Sequence, residues 1–252
     1  MSMDAKIQRA ADLLTQAARI VVLTGAGVSQ ESGVPTFRDA LTGLWAQYDP
    51  QQLATPAAFR QNPKFVWDWY EFRRGLVRNA TPNPGHFAIA QLQQRSPDVT
   101  IITQNVDDLH EQSGAHDVVH LHGLIAQTKC FFNCQGDPTL VDLAALPPTD
   151  QTPPPCPHCG RWLRPNVVWF TEVLSHDLLA IAGDAVLHCD IVLVVGTSGL
   201  VEPAGSLPRI GKQHGAKVIE VNPIPSAITP IADLYLGGAS GVVLPRVLEA
   251  MN

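Results

Sequence analysis

Arg19-Ile20-Val21-Val22-Leu23-Thr24-Gly25-Ala26-Gly27-Val28-Ser29 is the stretch that decides the fold. Its first six residues form a short apolar, β-branched run, the pattern of a strand buried on both faces. The run stops at Gly25, where the chain must turn tightly. Three more runs have this character: Val99-Thr100-Ile101-Ile102-Thr103, Ile191-Val192-Leu193-Val194-Val195-Gly196-Thr197 and Lys217-Val218-Ile219-Glu220-Val221-Asn222. Residues 118–121 and Leu234-Tyr235-Leu236 are weaker strands. Helical patterns over residues 1–19, 85–95 and 175–188 lie between them. Strands alternating with helices predict an α/β fold, a doubly wound parallel sheet covered on both faces.

Two stretches break the alternation. Residues 40–83 are rich in aromatics and read as a helical insertion. Residues 130–165 are rich in Pro, Cys and polar residues, and Pro147-Pro148 and Pro153-Pro154-Pro155 exclude a long helix there. The chain therefore divides into a core over residues 1–39, 84–125 and 166–252, a helical insert over 40–83 and a small module over 126–165. All belong to a single domain of 252 residues, long enough to bury a sizeable core.

Composition narrows the function classes. A net charge of -6 argues against a nucleic-acid face, which needs a basic patch. No apolar stretch approaches a membrane span, and the N-terminus lacks the apolar core of a signal peptide. The expectation is a cytoplasmic protein without nucleic-acid or membrane partners, acting as a monomer. Four of the five cysteines lie between Cys130 and Cys159. Such clustering in a reducing compartment favours metal over disulfides. Cys130 and Cys134 are followed after 21 residues by Cys156 and Cys159. Two close thiolate pairs resemble a zinc ribbon, a closed structural site for one Zn per chain. The first pair is spaced Cys-x-x-x-Cys. Cys189 reads as an ordinary buried cysteine.

Gly25 and Gly27 would let the backbone approach a phosphate at a helix N-terminus. Gln30 occupies the place of the third glycine of the dehydrogenase fingerprint, and an ordinary strand-to-helix turn would also explain Gly-x-Gly alone. The longer string from Gly25 through Gly33-Val34-Pro35-Thr36-Phe37-Arg38-Asp39 is more specific. It is followed in order by Gly43-Leu44-Trp45, Thr103-Gln104-Asn105-Val106-Asp107, His120-Leu121-His122-Gly123, the cysteine module, Pro165-Asn166-Val167-Val168-Trp169-Phe170, Gly196-Thr197-Ser198 and Val221-Asn222-Pro223. On these blocks the chain resembles the sirtuins, the NAD-dependent protein deacylases, over nearly its whole length.

The resemblance implies a Rossmann-like sheet and NAD as a consumed cosubstrate. It implies attack of an acyl-lysine oxygen on the ribose carbon bearing nicotinamide, followed by acyl transfer to ADP-ribose through a histidine base. That base is His122 by resemblance, with Asn105 holding a water or hydroxyl near the reacting ribose. An imidazole titrates near neutrality and suits the task. His120, two residues away on the same strand face, is the alternative. The resemblance places the cosubstrate against Gly25, Ala26, Gly27, Ser29, Thr36, Phe37, Arg38, Trp45, Gln104, Asn105 and Asp107. It adds Gly196, Thr197 and Ser198, then Asn222, Pro223, Ile224 and Ala239 around the adenosine. Val167, Val168 and Phe170 resemble the strand that pairs with the substrate peptide. Thr171 stands where the family often has glycine.

Tyr70 and Arg73, three apart on one helix face, resemble the pair of the class III branch, which favours succinyl-, malonyl- or glutaryl-lysine. The arginine fork suits a distal carboxylate, and the tyrosine hydroxyl can add a second bond. Acylated-lysine proteins are the expected partners. Mono-ADP-ribosyl transfer and a silent NAD or ADP-ribose sensor are the competing functions; His122 and Asn105 weigh against the sensor. The missing glycine weighs against a dehydrogenase.

Overall fold

The computed structural model describes residues 1–36, 49, 53–96 and 98–251. Phe37, Arg38 and Trp45 lie outside them. The chain opens with α1 (Met3–Gln16), where the Ser2 hydroxyl caps the helix by accepting the Ala5 N–H. β1 (Ile20–Thr24) leads into the short α2 (Ala26–Gln30). α3 (Pro56–Gln61) and α4 (Pro63–Arg78) are each opened by proline behind a side-chain cap, Thr55 and Asn62. Then come α5 (Pro84–Arg95), β2 (Val99–Thr103), α6 (Leu109–Gln112), β3 (Val119–His120) and β4 (Gly123–Cys130). The chain closes through β5 (Leu163–Val167), α7 (His176–Leu187), β6 (Ile191–Val195), α8 (Leu207–Gln213), β7 (Lys217–Asn222), β8 (Leu234–Gly237) and α9 (Ser240–Ala250).

Six strands form one parallel sheet in the order β3-β2-β1-β6-β7-β8. Side chains alternate between its faces, as strand geometry requires. Ile20, Val22, Leu193 and Val195 pack under α1, α5 and α9. Val21, Leu23, Val192 and Val194 pack under α7 and α8. The chain winds outward from β1 in one direction and from β6 in the other, so the switch point lies between these two strands. Open α/β sheets bind ligands at the carboxyl edge of that crevice.

β4 and β5 pair antiparallel in a separate two-stranded sheet carrying the cysteine module. A third aromatic cluster joins α3 and α4 to this sheet through Phe59, Trp69, Tyr70, Val167 and Trp169. Among the described residues, no helix is long and apolar enough to cross a membrane.

Candidate active site

The turns after β1, β2, β6 and β7 meet at the switch point. Packing between turns requires glycine at positions 25 and 27. A Cβ on Gly25 would sit 2.7 Å from Thr197 Cβ, and one on Gly27 would sit 2.7 Å from the Gly196 oxygen. The Gly27 N–H is bonded to that same oxygen at 2.8 Å. The glycines therefore let two protein turns approach each other. Gly196 is left-handed at φ 61°, a conformation that glycine adopts without steric cost. Gln104 Nε2 donates to Thr197 Oγ1 at 3.1 Å, and Asn222 Nδ2 to the Thr197 carbonyl at 3.1 Å. Ser198 follows in the same turn, and Ala26 opens α2. Ala239 caps α9 from the far side, while Ile224 is exposed beyond β7.

Asn105 is held through both its side chain and its backbone. Its Nδ2 donates to the Gly25 carbonyl at 3.1 Å and to Ser29 Oγ at 3.0 Å. Ser29 in turn hydrogen-bonds buried Asp107, whose pKa is raised by burial and pulled back by Ser29 and the Leu109 N–H. The Asn105 N–H donates to Thr103 Oγ1 at 3.0 Å.

The two histidines of the His-Leu-His run reach successive carbonyls. His122 Nδ1 lies 2.9 Å from the Gln104 oxygen, and His120 Nδ1 lies 3.3 Å from the Asn105 oxygen. A carbonyl only accepts, so each Nδ1 carries hydrogen. For His122 this leaves a lone pair on Nε2, the form a general base requires. Burial pushes the His122 pKa below its ordinary value, and the bond to Gln104 partly offsets the shift. His120 Nε2 is instead engaged by Glu111 at 2.6 Å. One imidazole is committed to structure at both nitrogens; among the described residues, Nε2 of the other has no hydrogen-bond partner.

Val168 donates its N–H to the His122 carbonyl at 2.9 Å, and Phe170 to that of Ala54 at 2.9 Å. The expected strand over Val167, Val168 and Phe170 is thus mostly irregular, because β5 ends at Val167. Its N–H groups bond to separate elements instead of one ladder. Buried Arg164 and half-buried Glu172 staple this segment: Arg164 donates to the Val167 carbonyl, and Glu172 accepts the Trp169 N–H. Thr171 is left-handed at φ 72°, where a β-branched residue is strained. Relief of about 1–2 kcal/mol in the folded state outweighs the entropy glycine adds to the unfolded chain. Thr171→Gly is therefore expected to raise the melting temperature by about 1–3 °C. A lower melting temperature would show that Thr171 makes compensating contacts.

Tyr70 and Arg73 sit on α4, with Tyr70 in the core and Arg73 half-buried. The Tyr70 hydroxyl accepts the Trp169 Nε1–H at 2.8 Å, so the phenol hydrogen is what it can offer a ligand. Burial pushes the Tyr70 pKa up to about 12, so it stays protonated. Arg73 stands at a recess otherwise lined by Val34, Pro35, Thr36, Leu76, Val77 and Val106. The adjacent Arg74 turns the other way. It is buried and donates to the Ile125 and Gln127 carbonyls and to Thr128, tying α4 to β4. Sequence reasoning passed over Trp169, although an indole N–H inside an apolar run signals a required partner.

The Sγ atoms of Cys130, Cys134, Cys156 and Cys159 all lie within 4.8 Å of one another, with Cys130 and Cys159 at 3.6 Å and Cys134 and Cys156 at 3.8 Å. Tetrahedral zinc bound at about 2.3 Å sets sulfur atoms about 3.8 Å apart, so the cage fits that ion. The longer first knuckle is absorbed at Asn133, left-handed at φ 47°, which lets the loop double back to Cys134. Cys189 is buried and bonds the Val186 carbonyl.

A switch-point crevice beside a buried histidine, with an appended four-cysteine module, is the kind of place where open α/β sheets bind ligands. Comparison with known proteins carries this further. The Sir2 family model matches residues 25–203. "NAD-dependent protein deacylase 2" of Pyrobaculum aerophilum is 49% identical over 242 residues, covering 96% of this chain and 94% of that protein. The crystal structure of a Sir2 homologue–NAD complex aligns at TM-score 0.86 and 42% identity, over 96% of this chain and 93% of that one. A substituted Sir2 homologue in complex with 2'-O-acetyl ADP-ribose aligns at 0.87 and 42%, over 96% and 95%. The chain belongs to the Sir2 family.

Proposed function

We propose that this Sir2-family enzyme, an NAD-dependent protein deacylase, removes succinyl- and malonyl-type groups from lysine as well as acetyl. It releases nicotinamide and 2'-O-acyl-ADP-ribose. In this reading the turns carrying Gly25, Ala26, Gly27, Ser29, Gly196, Thr197, Ser198 and Asn222 hold the dinucleotide. The complexes of its relatives with NAD and with an acylated ADP-ribose support that placement. Gln104, Asn105 and Asp107 orient the nicotinamide ribose, and His122 Nε2 takes the proton of a ribose hydroxyl so that its oxygen can attack the acyl carbon. Val167, Val168 and Phe170 guide the peptide. The four thiolates hold structural zinc, which stabilises the module and takes no part in acyl transfer. The partners are acylated proteins of the cytoplasm, met by a monomer.

The observation behind the acyl preference is a guanidinium at an apolar recess beside Val106, the neighbour of Asn105. An acyl chain terminating in a carboxylate satisfies both features, whereas acetyl carries no charge to complement the guanidinium. Losing a charge-assisted bond of about 1.5–3 kcal/mol corresponds to roughly 10–100-fold. Arg73→Met is expected to lose that much kcat/KM on a succinyl-lysine peptide while changing less than about threefold on the matched acetyl peptide. Equal losses on both peptides would remove the carboxylate clamp.

A further inference from the structure

Two buried histidines lie behind the site, and neither has a role in the reaction described above. His86, on α5, and His110, on α6, are 0% and 1% exposed, with ring centroids 5.0 Å apart at 63°. Each has one ring nitrogen without a hydrogen-bond partner among the described residues: Nε2 of His86 and Nδ1 of His110. An orphaned buried polar atom is costly, and two such atoms on facing rings call for an explanation.

The other nitrogens establish what each orphan must be. His86 Nδ1 receives the Asn83 backbone N–H at 3.3 Å, so Nδ1 is an acceptor and a neutral ring carries its hydrogen on Nε2. His110 Nε2 meets Thr24 Oγ1 at 3.0 Å, and Thr24 gives its hydroxyl hydrogen to Thr103 Oγ1 at 2.8 Å. Thr24 therefore accepts from His110, whose hydrogen lies on Nε2 and whose Nδ1 is bare. The orphans are one donor and one acceptor. With the threonine chain reversed, both would be donors and could not pair with each other. Burial pushes the ring pKa values down to about 4 for His86 and about 3 for His110, so both rings are neutral at working pH.

We propose that one buried water bridges His86 Nε2–H and His110 Nδ1, closing a one-way hydrogen-bond chain that positions Asn105. The chain runs from Asn83 through His86, His110 and Thr24 to Thr103, whose hydroxyl oxygen also receives the Asn105 N–H. Asn83 additionally donates to the Val28 carbonyl and Ser32, beside the Ser29 that holds the Asn105 side chain. His120 takes the Asn105 carbonyl from the other side. One neutral relay thus ties the N-cap of α5 to the peptide bond of the residue that orients the ribose. His86 and His110 are positioning residues. The functional half of this inference rests on the reading of Asn105 given above.

The test has two arms. The first is ¹⁵N-histidine NMR of the full chain between about pH 5 and 8. Both rings are expected to be neutral with hydrogen on Nε2 throughout. Hydrogen on Nδ1 of either ring, or protonation of either near its ordinary midpoint, would overturn the chain. This arm reads the unaltered protein without turnover, so it decides even if variants fail to fold or Asn105 proves to have another task. The second arm measures nicotinamide release by His86→Phe, His110→Phe and the double variant, which keep ring volume. Each single change is expected to lower kcat on the order of tenfold, the scale of a small misplacement at the reacting centre, with KM for NAD within about twofold. The double variant should be no worse than the weaker single, because the chain acts as a unit. Wild-type kcat in either folded single variant, or additive losses in the double, would overturn the positioning role.

Discussion

His122→Ala is expected to lose acyl transfer by about 10²–10⁴-fold, the usual contribution of a positioned general base. The Nδ1–H bond to Gln104 fixes the ring with its lone pair on Nε2. Alanine removes both the base and that anchor, while the turns around Gly25 and Gly196 remain joined by backbone bonds. NAD affinity, measured by calorimetry, should therefore fall only slightly. The pH profile of wild-type kcat/KM carries the same signature. A base works when deprotonated, and burial lowers the pKa of His122. Activity should be complete above neutrality and persist below the ordinary histidine midpoint of about 6.5, failing only as pH falls through the depressed value. An acid limb above that midpoint, or a fully active alanine variant, would overturn the assignment of His122 as base.

Zinc removal should have the second large effect. Metal analysis is expected to find one zinc per chain, and Cys156→Ser or a strong chelator should abolish its binding. Cys130, Cys156 and Leu163 pack with Trp67, which belongs to the same helix as Tyr70 and Arg73. Loss of the cage would therefore loosen α4 and the acyl recess as well as the module. The parallel sheet is held by two separate apolar clusters and should survive. The expected result is a shifted tryptophan emission and lost deacylation, with most of the helical circular dichroism kept. A metal-free protein with unchanged emission and full activity would refute the structural zinc.

The sheet was readable because its signals are local. The runs beginning at Ile20, Val99, Ile191 and Lys217 each form strands, since continuous apolar, β-branched segments have no other way to bury both faces. The cysteine quartet was readable because tetrahedral thiolate coordination leaves a spacing pattern in the chain. The second sheet was less legible. β4 and β5 are separated by the whole module, and their pairing is decided by contacts distant in sequence. The two arginines of α4 show the same limit. Adjacent positions on a helix point about 100° apart, and only the packing of α4 against β4 decides that Arg74 is committed and Arg73 borders the recess.

By itself, the sequence determined the parallel doubly wound sheet, the metal-type cysteine set and, through ordered motifs, the family to which the chain belongs. Periodicity and residue spacing suffice for these because they express backbone geometry and coordination chemistry. Only the tertiary structure decided which turns Gly25 and Gly27 let approach each other, which nitrogen of His122 carries hydrogen and what holds Asn105 in place. Those properties depend on distances between turns that lie far apart in the chain and come within hydrogen-bonding reach only at the carboxyl ends of the parallel strands.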